Sequence, residues 1–339
     1  MFCEKHAKQS GNTYFYVPVF TGAFFYYKKL EEKKMKKMIA MVLVLVMMAA
    51  ALTGCGGSKE LSVGVCQLVV HDALDQATQG FTDALTAEAE KAGKTVKIDT
   101  QVAGEAGLCT TVINTFTAKK VDLIMANATP ALLAAANATT TIPVLGTSVT
   151  DYNDTFAGSI PANVSGTSDA VPFAEQAQMM IDTLGLVPGD LVGVLYCTNE
   201  SNSLIQYEAV KALFEEAGIE VKAYTFSETT ELQALTTSMA SEVKAVYIPS
   251  DNTVAANDTI VGTICTEQNV PVYTSYGGAI CYASLSIDYY QLGYETGLMA
   301  AKILLEGKSP ADFEVMTLTP SVAYNEDLCA QLGIEVPAN

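Results

Sequence analysis

Few residues of this chain could do chemistry, and their spacing favours holding a molecule over transforming one. Its two histidines are His6 and His71, so an imidazole-based catalytic arrangement beyond the N-terminal segment has one possible centre, His71. No nucleophile elbow accompanies it, and a structural or cleft-lining histidine is the plainer reading. Cys66, Cys109, Cys197, Cys265, Cys281 and Cys329 are scattered singly, without CxxC or metal-ligand spacing. In apolar segments such thiols behave as small hydrophobes, so buried free cysteines are expected. Gly93-Lys94-Thr95 and Gly307-Lys308-Ser309 imitate the end of a phosphate loop, but Glu88 and Lys302 stand where its first glycine must be. The carboxylates show no ligand spacing either. Neither a catalytic centre nor a metal or cofactor is expected.

The remaining polar side chains of interest stand where apolar runs give way to helical ones: Gln67, Thr129, Thr147-Ser148 and Asp151 early in the chain, then Asn199 to Ser203, Ser250-Asp251-Asn252 and Ser275 to Gly278. Any one of them reads most simply as helix capping. Their recurrence at matching places in two halves is what suggests a shared binding cleft.

Those halves are visible as a weak repeat. Val63-Gly64-Val65, a helix from about Ala73 to Ala92, and Val96-Lys97-Ile98 recur as Val192 to Tyr196, a helix from Leu204 to Ala217, and Val221 to Tyr224. Val121 to Met125 then matches Val246-Tyr247-Ile248, and the Pro-led Ile142 to Leu145 matches Val270 to Tyr273. Continuous apolar strands alternating with amphipathic helices imply parallel sheets covered on both faces. Two such units imply two similar Rossmann-like (flavodoxin-like) α/β lobes, with ligands held beyond the carboxyl ends of the strands. We expect the first lobe to comprise 61–165 plus 286–310 and the second 166–285 plus 311–339, with the helix from Tyr289 to Leu305 carrying the chain back.

The N-terminal part obeys other rules. Lys33, Lys34, Lys36 and Lys37 precede an apolar run from Met38 to Leu52 that ends in Leu52-Thr53-Gly54-Cys55. This is the pattern of a signal peptide over 35–54 closed by a lipobox, which makes Cys55 the lipidation site and 55–60 a tether. Translation is expected to start at Met35, leaving 1–34 unstructured and outside the gene product. The 339-residue chain contains no arginine, and from Cys55 onward it carries 11 lysines against 34 acidic side chains, a net charge near −23. Such a charge disfavours nucleic acid or an anionic membrane surface as a partner.

Several runs together carry a family resemblance: Val63-Gly64-Val65-Cys66-Gln67-Leu68-Val69-Val70-His71, Ala128-Thr129-Pro130-Ala131, Val149-Thr150-Asp151, Glu200-Ser201-Asn202-Ser203, Pro249-Ser250-Asp251-Asn252-Thr253-Val254 and Ile287-Asp288-Tyr289-Tyr290-Gln291-Leu292-Gly293-Tyr294. The chain resembles the tryptophan/aromatic amino acid type of ABC substrate-binding lipoproteins, over essentially all residues after Cys55. The resemblance implies a type I periplasmic-binding architecture with hinged lobes, an extracytoplasmic location on the cell membrane through the lipid, a monomer, and ABC permease and ATPase subunits as partners. Asp72 and Tyr152 replace prolines usual in the family, at positions expected to line the cleft.

An amino acid ligand brings a carboxylate, an ammonium and a side chain, all to be satisfied on closure. Without arginine, the carboxylate must be met by amides at helix N-termini, with Thr129 or Ser201, Asn202 and Ser203 assisting. Asp251 is the candidate partner of the ammonium and Asp151 its competitor. Leu68, Tyr152, Tyr196 and Tyr276 could supply a flat apolar wall, while Gly277 and Gly278 let the chain approach closely. Gln67, Ser148 and Asn252 complete the expected site. A sugar or nucleoside receptor of the same fold, and a sensing receptor without transport, are the alternatives.

Overall fold

The computed structural model describes residues 60–337. The expected start at Met35, the signal segment and Cys55 lie outside them. Within them the repeat read from sequence becomes two six-stranded sheets.

The first half alternates β1 (Leu61–Gln67), α1 (Asp72–Lys91), β2 (Val96–Val102), α2 (Cys109–Lys119), β3 (Leu123–Asn127), α3 (Thr129–Ala138), β4 (Val144–Val149), the short α4 (Tyr152–Thr155) and β5 (Val164–Ser168). The chain then crosses to α5 (Phe173–Leu184), β6 (Leu191–Cys197), α6 (Ser201–Glu216), β7 (Glu220–Phe226), α7 (Leu232–Ala240), β8 (Ala245–Ile248), α8 (Asn252–Ala255), α9 (Asp258–Glu267), β9 (Val272–Thr274) and β10 (Ala283–Ser286). It returns as α10 (Tyr289–Glu306) and β11 (Met316–Thr317), and crosses once more into β12 (Ser321–Tyr324) and α11 (Glu326–Leu332).

The sheet orders are β11-β5-β4-β3-β1-β2 and β12-β10-β9-β8-β6-β7. Pairing is parallel throughout the first sheet, while β12 lies antiparallel on β10 in the second. The central strands β3 and β4 are buried at every residue, as helices on both faces require. The edge strands β2 and β7 alternate in exposure instead.

Each lobe has its own core. In the second it contains Tyr247, Tyr273 and Tyr282, with the first two rings stacked at 5.7 Å. Their hydroxyls are all engaged: Tyr247 donates to Gln176 Oε1 at 2.7 Å, Tyr273 accepts from Leu285 N at 2.9 Å, and Tyr282 bonds with Thr183 at 3.0 Å. A buried phenol is stable there because its polar end is met.

The first lobe is completed by α10, which lies against α1 so closely that a Cβ on Gly293 would sit 1.9 Å from Ala77 O. Only glycine permits that approach. The lobe also extends past the expected limit of 310, because β11 pairs with β5 and the chain reaches the second sheet only at Ser321. Three crossings therefore join the lobes, at 169–172, 287–288 and 318–320. Val171, Ile287 and Leu318, one from each, pack in a single apolar cluster with Ala73, Ala77 and Leu292.

Candidate functional site

The carboxyl ends of both sheets face each other, and the second lobe's side is knit by two buried carboxylates. Asp251 caps α8 by accepting from Val254 N at 2.9 Å, and its other oxygen accepts from Cys197 N at 2.7 Å and Ser203 Oγ at 2.8 Å. Burial and then the Glu200 charge raise its pKa well above the ordinary carboxylate value. Glu200 accepts from the amides of Asn252 and Thr253 at 3.0 and 2.8 Å, and from both their side chains. With Nδ2 held by Glu200, Asn252 turns Oδ1 outward to accept from His71 Nε2 at 3.2 Å, across to the first lobe. Burial holds the His71 pKa below the usual imidazole value, against the pull of Asn252 and of the Glu200, Asp75 and Asp72 carboxylates. The neutral ring then carries its proton on Nε2. A second bridge runs from Gln206 Nε2 to Thr150 Oγ1 at 3.1 Å.

The first lobe is strained where the second is knit. Ala128 and Ser148, at the ends of β3 and β4, have φ of 93° and 55°, a region that residues with a Cβ seldom occupy. The β4–β5 register shifts between Gly146 and Val149, and such a bulge re-aims the side chain it carries. Ser148 Oγ is buried without a partner among the described residues, as are Thr129 Oγ1 and Asn127 Oδ1.

Between the lobes lies a narrow cavity of about 10 Å³, the room of a single water. Its walls are His71, Leu74, Ser148 and, at the start of α10, Tyr289 from the first lobe, Ser250 to Asn252, Ala255 and Tyr276 from the second, and Asp169 from a crossing. Asp169 follows β5 and is 6% exposed; Tyr289 donates to its Oδ2 at 3.0 Å, while Oδ1 has no partner among the described residues. Burial pushes the Asp169 pKa up to about 6, against the pull of the Tyr289 and Thr150 hydroxyls. The Tyr276 hydroxyl is likewise buried and unpartnered, and its ring stands 6.5 Å from the His71 imidazole. A wider polar groove shares His71, Tyr276 and Tyr289 and adds Asp72, Gly277, Gly278, Asp258 and Asp288.

Of the residues singled out from sequence, Ser148, Ser250, Asp251, Asn252 and Tyr276 line the cavity, and Gly277 and Gly278 line the adjoining groove. Asn202 donates to Ser250 O at 2.8 Å and Ser203 holds Asp251, so both support the wall from behind, while Ser201 is exposed. Thr129 is buried at the start of α3, outside the cavity lining. The others lie elsewhere for physical reasons. Gln67 spends its amide on Val69 O, Asp75 and Thr78. Leu68 is a core residue of the first lobe. Tyr152 points into the same core, its ring filling the space that Gly146 and Gly166 leave open and its hydroxyl donating to Thr167 O at 3.2 Å. Asp151 caps α4 and borders a separate groove with Ile160 and Phe313. Tyr196 belongs to the core of the second lobe, stacked on Tyr207 at 5.3 Å.

Sequence reasoning left Asp169 and Tyr289 out of the site. Asp169 sits in a crossing that the repeat does not contain, and Tyr289 at a helix start reads as packing. A carboxylate stranded among small residues just before Pro172 was the available signal.

The profile of ABC transporter substrate binding proteins matches residues 62–339. The chain belongs to that family. It is 33% identical over 288 residues, 82% of each chain, to a tyrosine-binding protein of Clostridioides difficile (strain R20291). Among solved structures it is similar to an ABC domain from Streptococcus pneumonia in complex with L-Trp, at 32% identity and a TM-score of 0.75, covering 81% of this chain and 96% of that one. It also resembles a substrate-binding protein with adhesive properties from Clostridium difficile, solved open and ligand-free, at 35% identity and a TM-score of 0.60, covering 82% and 97%. The family is one of substrate-binding proteins.

This substrate-binding protein is more alike in shape to the ligand-bound relative than to the open one, although its sequence is slightly nearer the latter. The His71–Asn252 and Gln206–Thr150 hydrogen bonds join the two lobes across the cleft.

Proposed function

We propose that the protein captures an aromatic amino acid (tyrosine, tryptophan or phenylalanine) in the cleft between its lobes and, once closed over it, presents it to the permease of an ABC importer. In this reading a lipid on Cys55 tethers it outside the cell membrane. The observation that carries the ligand class is Asp169, a buried carboxylate whose Oδ1 is unpartnered in a cavity bordered by Tyr276, Tyr289 and His71. A buried carboxylate is costly unless it meets a cation, and no lysine is among the lining residues, so the ligand brings the charge as an ammonium. The rings beside it suit a flat side chain. With no arginine in the chain, the ligand's carboxylate is left to hydroxyls and helix-terminal amides, for which Ser148 Oγ in the cavity wall and the unpartnered Thr129 Oγ1 at the start of α3 are the candidates. The tyrosine-binding and L-Trp-bound relatives support the same class.

The test is a thermal-shift and calorimetric screen of refolded protein lacking the lipid segment against L-tyrosine, L-tryptophan, L-phenylalanine, sugars and nucleosides. Stabilisation by aromatic amino acids alone is expected; a response confined to sugars or nucleosides would leave the fold intact and remove the ligand assignment. Metabolic labelling with a fatty acid checks the anchor, and Cys55→Ala is expected to abolish the label.

A further inference from the structure

Tyr289 has a second relation to the cavity besides bordering it. It is the first residue of α10, held where Val171 and Ile287 of two crossings pack against it, and it is 6% exposed. Its hydroxyl donates to Asp169 Oδ2 at 3.0 Å, leaving Oδ1 as the oxygen without a partner. A carboxylate can present either oxygen unless one is engaged, so this bond selects which one the cavity receives. The other titratable groups near Asp169 are Tyr152 behind it and His71, Asp251 and Tyr276 around the cavity, and none of them bonds to it among the described residues.

Resting on the reading of Asp169 as the partner of the ligand's ammonium, we propose that Tyr289 is a positioning residue, whose hydroxyl fixes the Asp169 carboxylate so that Oδ1 faces that ammonium. The ring is not what the role requires, which makes Tyr289→Phe the decisive variant. Losing the donor also removes one of the forces opposing the upward shift of the Asp169 pKa from burial. The pH below which affinity declines must then rise.

Calorimetric titration of L-tyrosine and L-tryptophan into the wild type, Tyr289→Phe and Asp169→Asn, between about pH 5 and 8, tests this. For Tyr289→Phe we expect affinity at neutral pH to fall on the order of tenfold, with the midpoint of its pH profile displaced upward. Unchanged affinity and midpoint, or a loss equal at every pH, overturns the proposal. Should Tyr289→Phe fail to fold, 3-fluorotyrosine installed at position 289 is a stronger donor and must lower the midpoint, and an unmoved midpoint counts equally against the idea. Asp169→Asn separates the two levels. If it binds normally, the reading of Asp169 falls and the role of Tyr289 with it; if it loses binding while Tyr289→Phe matches the wild type, the reading stands and the positioning role falls.

Discussion

Both lobes meet the cleft with the carboxyl ends of parallel strands running into helices, yet they leave different atoms behind. In the second lobe Asp251 and Glu200 together accept seven hydrogen bonds, all from their own lobe. On that side of the cleft Asn202 Oδ1 and the Tyr276 hydroxyl are the buried polar atoms without a partner among the described residues. In the first lobe and its crossing, Ser148 Oγ, Thr129 Oγ1, Asn127 Oδ1 and Asp169 Oδ1 are all buried and unpartnered. The difference teaches that carboxylates count by what they have left to give. Those of the second lobe are used in holding its loops rigid, and unspent hydrogen-bonding capacity is gathered on the other side, where a ligand can use it.

Asp169→Asn tests that contrast hardest. Removing a buried charge from a charge-assisted contact should raise the Kd for L-tyrosine on the order of a hundredfold. The same variant should stabilise the ligand-free protein. A carboxyl shifted from 3.8 to about 6 by folding favours the native state fully below the lower value and loses that contribution as pH rises through the upper one. At neutral pH the charge therefore costs roughly 3 kcal/mol, an amount the amide avoids. Urea unfolding at pH 7.5 measures it, and a variant that is weaker in both respects would break the comparison.

Asp251→Ala is expected to behave in the opposite way. It deprives Cys197 N, Ser203 Oγ and Val254 N of their acceptor, and the lost cap and orphaned donors should cost about 2–4 kcal/mol of stability. Affinity measured well below the unfolding range should change far less than in Asp169→Asn. A selective loss of binding would return Asp251 to the ligand. A third outcome concerns pH: wild-type affinity should be level above about pH 6 and fall toward tenfold per unit below it, as Asp169 takes up its proton. The smallest effect belongs to Tyr152→Phe, which removes a single neutral bond to Thr167 O and should cost about 1 kcal/mol without touching affinity.

Much of the framework was legible in the sequence. The apolar runs around Val63, Val121, Val192 and Val246 fall on β1, β3, β6 and β8, and Thr129-Pro130 opens α3, because burial on both faces and helix starts leave strong local marks. Asp151 and Asp251 stand at the predicted junctions, but both prove to be caps, one at each short helix that follows. Side-chain direction was the harder quantity. That Tyr152 turns inward depends on Gly146 and Gly166, two strand residues whose missing side chains make room for the ring from outside its own segment. Asp169 escaped because the crossing belongs to neither half, so no repeat pointed to it. Its importance appears only when Oδ1 is seen to lack a partner.

The three crossings have a mechanical consequence. A body tied by one ribbon can swing, twist and slide. One tied by three, running from β5 to α5, from β10 to α10 and from β11 to β12, with β5 beside β11, β10 beside β12, and Val171, Ile287 and Leu318 packed together along the join, keeps one soft rotation, like the covers of a bound book. A captured molecule then decides a single angle between the covers, and from outside, that angle is the most direct sign that something is held within.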